Sequence, residues 1–186
     1  MLKNQIRIIG GQWRSRQVSF YDVPGLRPTP DRVRETLFNW LQYDIPSSRC
    51  LDLYAGSGAL GFEAASRGAK AVIQVESNPD ACRALKENAL KLATTNVNII
   101  QSDVFRYLSS DAEPFDIVFL DPPFGLNLIT QTCNWLEDKG WLSQHAKIYV
   151  EAESKLKFFD ELPENWQLLK SKTAGDVGYQ LFEKIK

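Results

Sequence analysis

Between residues 50 and 153, apolar runs of strand length alternate with segments of helix length, and this alternation restricts the chain to one kind of architecture. The strand candidates are CLDLYA (50–55), AVIQVE (71–76), VNIIQS (97–102), DIVFLD (116–121) and AKIYVEAE (146–153). Helical patterns fill 59–67, 79–92, 104–109 and 129–138. Continuous apolar strands joined by helical crossovers form a parallel sheet covered on both faces. The last two runs, WQLLKSKT and GYQLFEKIK, have no helix between them and are expected to pair antiparallel at one edge. The expected fold is therefore α/β and Rossmann-like, with a mostly parallel seven-stranded sheet.

The N-terminal part reads differently. IRIIGG and RQVSFY are short β-like pieces broken by Gly10-Gly11 and DVPGLRP, so a small arm or hairpin outside the core is expected over residues 1–28, with the main domain over 29–186. In RPTPDRVRETLFNWLQ, Thr29 can cap a helix that begins at Pro30, with Val33, Leu37, Trp40 and Leu41 on one face.

At 186 residues and 44% hydrophobic content, the chain suits one full core. It has no run long enough to span a membrane, and its first residues lack the apolar centre of a secretory signal, so a cytoplasmic location is expected. Cys50, Cys82 and Cys133 form no C-x-x-C pair and read as buried thiols; His145 stands alone as a surface or turn residue. Neither suggests a metal site. Charge is uneven. Up to Arg34 the chain carries Lys3, Arg7, Arg14, Arg16, Arg27, Arg32 and Arg34 against Asp22 and Asp31, within a chain of net charge −1. Such an arm either meets a polyanion or is a solvated face.

Gly56-x-Gly58-x-x-Gly61 lies between a strand and a helix, where glycines permit a tight turn and close approach to a ligand. Glu76 ends the next strand and can accept hydrogen bonds from two ribose hydroxyls, which suits NAD or S-adenosylmethionine (SAM). Asp52, four residues before Gly56, would repel a pyrophosphate but suits the ammonium and sulfonium of SAM. Asp103 and Asp121 complete a row of four acidic strand ends, and Asp103 can accept from an adenine amino group.

Asp121-Pro122-Pro123-Phe124 follows the fourth strand. A carboxylate and a backbone carbonyl together can accept both hydrogens of an exocyclic amine, aim its lone pair and stabilise the charge that develops on nitrogen. Prolines fix φ and offer no competing N–H. Phe124 can stack on a planar base, and a base enters such a site flipped out of a duplex or from a single strand.

LDLYAGSGALGFEA resembles motif I of class I SAM-dependent methyltransferases, and DPPF resembles the (Asn/Asp)-Pro-Pro-(Tyr/Phe) motif of amino-directed N-methyltransferases. RIIGGQWRSRQV, GLRPTPDRVRETLFNWL and AGSGALGFEAASRGA together resemble the bacterial 16S ribosomal RNA guanine-N2 methyltransferase D family, which modifies guanine 966; the similarity runs from about Arg7 to VGYQLFEK. The resemblance implies SAM as cofactor, 16S rRNA or the assembled small subunit as partner, and a monomer. It implies a cofactor-binding set of Thr29 (at the SAM carboxylate), Asp52, Gly56, Ser57, Gly58, Glu76, Ser77, Asp103 and Val104 (backbone). It implies a catalytic set of Asp121, Pro122, Pro123 and Phe124, and RNA contacts from Arg7, Arg14, Arg16 and Arg27, with Arg32 and Arg34 supporting the fold or the SAM end. Other readings are N-methylation of DNA adenine or cytosine, methylation of protein glutamine, a non-catalytic SAM- or RNA-binding subunit, and an NAD-dependent reductase.

Overall fold

The structure, a computed structural model, describes residues 3–186. Met1 and Leu2, the start of the expected arm, lie outside the described residues. A hairpin of β1 (Lys3–Arg7) and β2 (Gln17–Tyr21) precedes α1 (Asp31–Trp40). The alternating part then runs β3 (Arg49–Leu53), α2 (Ala59–Ser66), β4 (Ala71–Glu76), α3 (Pro79–Lys91), β5 (Val97–Gln101), α4 (Val104–Leu108), β6 (Phe115–Leu120), α5 (Leu128–Asp138) and β7 (Leu142–Glu153). β8 (Trp166–Ala174) and β9 (Val177–Lys184) close the chain.

The seven-stranded sheet has the order β5-β4-β3-β6-β7-β9-β8, parallel from β5 through β7 and antiparallel at β9 and β8. Side chains alternate between its faces. Cys50, Ile117, Phe119 and Tyr149 pack with α1, α2 and α3, while Leu51, Val118, Leu120 and Val150 pack with α4 and α5. The chain steps outward from β3 to β4 and β5, then returns to place β6 on the other side of β3. That reversal opens the crevice in which doubly wound sheets bind ligands.

β7 begins earlier than its apolar run suggests. Its register against β6 shifts between Phe115 and Ile117, and His145 sits in this irregular stretch, exposed, with φ of 62°.

The N-terminal hairpin forms but does not stand apart. Ile8, Trp13 and Val18 are buried in the same cluster as Leu37 and Phe38, so the expectation of an arm outside the core is corrected. The cause is a set of polar anchors. Glu63, fully buried on α2, accepts the Ile9 amide at 2.9 Å and the Gly10 amide at 2.8 Å, and pairs with Arg67 at 2.9 Å and Arg34 at 3.4 Å. A Cβ on Gly11 would lie 1.9 Å from the Ser66 carbonyl oxygen, so only glycine fits there. On α3, Asn88 accepts the Ser19 amide at 3.0 Å and donates to the Ser19 carbonyl at 2.7 Å, extending the edge of β2.

α1 also differs from its expected start. Pro30 is the N-cap, without a side-chain hydrogen bond, and Thr29 turns into the protein instead. Val33, Leu37 and Leu41 are buried as expected; Trp40 is partly buried and stacks on Tyr179. All three cysteines are buried free thiols. Among the described residues no helix is long and apolar enough to cross a membrane.

Candidate active site

The carboxyl ends of neighbouring strands bring the acidic residues into one row. In sheet order they are Asp103 after β5, Glu76 ending β4, Asp52 in β3, Asp121 after β6 and Glu151 in β7.

The glycine turn is built at β3. Tyr54, Gly56 and Gly58 all have positive φ, and Gly58 is the left-handed N-cap of α2. A Cβ on Gly58 would lie 2.4 Å from Leu85, and one on Gly61 would lie 2.3 Å from Gln74 and 2.9 Å from Asp52. Gly61 lets α2 approach the sheet, and Gly58 makes room for Leu85 of α3 and Phe62. Gly56 is open by contrast: the nearest atom to a Cβ there is 3.5 Å away, on Leu26 of the loop that covers the turn. Ser57 is buried, with its hydroxyl accepting the Ala59 amide at 3.4 Å. Ser77 is exposed between β4 and α3.

Glu76 clamps this turn. Its Oε2 accepts the Gly56 amide and its Oε1 the Asn78 amide, both at 2.8 Å. Each oxygen keeps a further lone pair for a hydroxyl. Asp103 is exposed and caps α4 through the Arg106 amide at 3.0 Å, while the Val104 side chain is buried beneath it.

Asp52 is buried and accepts the Gly61 amide at 3.0 Å and the Gln74 amide group at 3.2 Å. Burial pushes its carboxyl up to about 7, against these two hydrogen bonds. Asp121 is half-buried. Its carboxyl is held well above the usual range, first by desolvation and then by the negative charges of Glu151 and Asp52. The Thr29 hydroxyl lies 3.5 Å from Asp121 and 3.2 Å from Glu151, and the Tyr149 hydroxyl donates to Glu151 at 3.1 Å. Burial also raises Glu151, opposed by those two hydroxyls.

After Asp121 the backbone turns outward. Pro122 is buried, whereas Pro123 and Phe124 are exposed, Phe124 by 45%. The Gly125 amide donates to Glu153 at 2.7 Å, which ties this loop to the end of β7. A small cleft lies beneath, lined by Pro122, Phe124, Leu128 and Leu156.

The basic residues do not form one patch. The loop over the glycine turn carries exposed Arg27. Arg7 is exposed and 3.5 Å from Asp31. Arg14 and Arg16 lie at the opposite end of α2 from the glycine turn: the Gln12 and Trp13 amides just before them donate to Ser66, and Arg16 donates to the Lys91 carbonyl at the end of α3. Arg32 is exposed, but Arg34 is buried and works for the fold.

Glu151 was not among the expected site residues. Its signal was present, since it is an acid near the carboxyl end of an apolar strand, like the other four. Tyr149 and Gln74 gave no such signal.

The family model described as Conserved hypothetical protein 95 matches residues 6–183. The chain is 47% identical, over 97% of its length and 90% of the relative's, to Ribosomal RNA small subunit methyltransferase D of Escherichia coli. It is 45% identical, over 97% of its length and 95% of the relative's, to the protein of that name in Haemophilus influenzae. A solved Escherichia coli structure named "Putative methyltransferase yhhF" superposes with a TM-score of 0.88 at 47% identity, covering 98% of this chain and 99% of that one. The chain belongs to the ribosomal RNA small subunit methyltransferase D family.

Proposed function

We propose that this chain transfers a methyl group from SAM to the exocyclic N2 amino group of guanine 966 in 16S rRNA, acting as a cytoplasmic monomer. The observation that carries this reading is the position of Asp121, immediately after β6 and beside the glycine turn, with exposed Phe124 next to it. SAM supplies an electrophilic methyl group on a positively charged sulfur. The residues present suit such a group: Asp52, Asp121 and Glu151 are carboxyl groups that form no ion pair with a lysine or arginine among the described residues and would ionise beside a cation, and Gly56 leaves room for close approach. Glu76 would hold the ribose, and Asp103 and the Val104 backbone the adenine; Thr29, expected at the SAM carboxylate, is instead buried with its hydroxyl directed at Glu151 and Asp121.

Asp121 and the Pro122 carbonyl would accept the two amino hydrogens and aim the nitrogen lone pair. SAM bound here would give its methyl group to the amine nitrogen, its sulfur retaining the electron pair of the bond that breaks. The proton lost from nitrogen passes to the Asp121 carboxylate. Orientation of this kind can supply about 7–11 kcal/mol of barrier reduction. Stacking on Phe124 would add about 1–3 kcal/mol of binding for the extruded base.

The test is methyl transfer from labelled SAM to small ribosomal subunits lacking their own methylations, with free 16S rRNA, duplex DNA and protein extract in parallel. N2-methylguanosine at position 966 is the expected product. Label in adenine, cytosine or glutamine, or in another guanine, would overturn the proposed substrate.

A further inference from the structure

Thr29, Asp121, Tyr149 and Glu151 come from the segment before α1, the end of β6 and the strand β7, yet they form one string of oxygens at the sheet edge. β6 and β7 are in register at Leu120 and Val150, so the next residues on the two strands, Asp121 and Glu151, stand side by side. Tyr149 shares their face, two residues before Glu151. Neither carboxyl forms an ion pair with a lysine or arginine among the described residues; the nearby Arg34 is spent on the Thr29 carbonyl, Asp31 and Glu63. Two adjacent carboxylates largely shielded from water repel each other and gain little solvation, so one of them retains a proton.

We propose that Asp121 and Glu151 share one proton through the Thr29 hydroxyl, and that Glu151 is thereby a positioning residue that decides when Asp121 presents a carboxylate to the target amine. The use made of the proton rests on the methyl-transfer reading above; the shared proton is a property of the cofactor-free protein.

Hydrogen bonding decides where the proton rests. Glu151 accepts from two hydroxyls, at 3.1 and 3.2 Å, whereas Asp121 has only the longer contact of 3.5 Å to Thr29. Glu151 is therefore the better-supported anion, and Asp121 holds the proton in the free protein. Asp52 on β3, itself beside Glu76, adds negative charge facing Asp121 and favours the same placement. Tyr179 on β9 stands opposite Glu151 in register and lies beside Tyr149.

A positive charge bound beside Asp121 reverses the preference. The Asp121 proton moves to Thr29 Oγ1 as the Thr29 proton moves to Glu151, leaving Asp121 ionised to hold the amine. Methyl transfer removes that positive charge. Asp121 then regains proton affinity at the moment the amine must lose a proton, and the doubly protonated pair returns one proton to solvent as the product leaves.

The first test is a pH titration of the cofactor-free full chain carrying carboxyl-labelled aspartate and glutamate, followed by carbon NMR. Glu151→Gln removes the repelling charge and should move the Asp121 midpoint to lower pH. Tyr149→Phe strips one donor from Glu151, draws the proton toward it and should move the Asp121 midpoint the same way, which keeps the test available should Glu151→Gln not fold. An unmoved Asp121 midpoint in the variants that fold would overturn the proposal, as would an Asp121 already ionised below the pH at which Glu151 titrates. The second test repeats the titration with SAM or its demethylated product bound. Because the two differ by the sulfonium charge, SAM should lower the Asp121 midpoint and raise the Glu151 midpoint relative to the product; identical midpoints would overturn the relay. Neither readout depends on which RNA base is methylated, so failure of the substrate assignment leaves both intact.

Discussion

The Glu76 carboxylate accepts the Gly56 amide at 2.8 Å, so the residue proposed to hold the ribose also shapes the turn beneath the cofactor. Removing it does two things at once. Glu76→Ala is expected to weaken SAM binding by about 100-fold or more, since hydrogen bonds to a charged group contribute about 1.5–3 kcal/mol each. Calorimetry on the variant checks this; SAM affinity within threefold of the parent would remove Glu76 from the site.

Asp121 follows the last residue of β6 and does not support the glycine turn. Asp121→Ala should abolish detectable methyl transfer while changing SAM affinity by only a few-fold, because its proposed contact is to the target amine. Loss of one preorganised group that stabilises developing charge costs about 2.7–4 kcal/mol of barrier. Single-turnover assays with small subunits, paired with SAM binding, separate the two effects, and comparable turnover by the variant would refute the role.

The buried acids give the cofactor-free protein an unusual pH dependence. Asp52 has a folded-state value of about 7 against an ordinary 3.8, so the folded state binds its proton more tightly than the unfolded state does. The stabilisation is therefore fully present below about 4 and is lost as pH rises through about 7. Asp121 and Glu151, both raised, act in the same direction. Denaturant unfolding between pH 5 and 8 should show this loss, and Asp52→Asn should flatten it. A slope identical in parent and variant would show that Asp52 is ionised throughout.

Glu63 fixes the N-terminal loop to α2 by accepting two backbone amides and pairing with Arg34 and Arg67. Glu63→Ala leaves those donors buried and uncompensated, and should cost about 3–5 kcal/mol of stability, measured by chemical denaturation. A loss below about 1 kcal/mol would mean that solvent reaches the donors.

The arginines separate by place. Arg27→Glu, on the loop above the glycine turn, should weaken binding of 16S rRNA and flatten its salt dependence, and should also slow methyl transfer at saturating RNA. Arg14→Glu with Arg16→Glu, at the far end of α2, should weaken binding and flatten its salt dependence but leave the saturated rate unchanged. Filter binding across a salt series with parallel rate measurements distinguishes them. Unchanged RNA affinity in the double variant would make that end a solvated face.

Much of this protein follows from local pattern. Apolar runs of strand length, helical spacing, the glycine turn and DPPF are contained in stretches of a few residues, and each dictates its own backbone and the edge on which its acids stand. The sequence alone therefore determined the sheet, its antiparallel edge and four of the five acids in the row. Tertiary structure decided what depends on residues far apart in the chain. Thr29 looked like a helix cap, yet its hydroxyl reaches Glu151, 122 residues away, because the start of α1 packs over the end of β7. Arg34 looked like part of a basic arm, yet it is buried, since an arginine leaves water only where partners such as Glu63 and Asp31 offset its desolvation. The separation of Arg14 and Arg16 from Arg27 likewise depends on the direction in which α2 runs away from the glycine turn. Periodicity reports which face of an element is apolar; only the folded chain decides which polar groups meet where water is excluded, and there their charges and protons are set by one another.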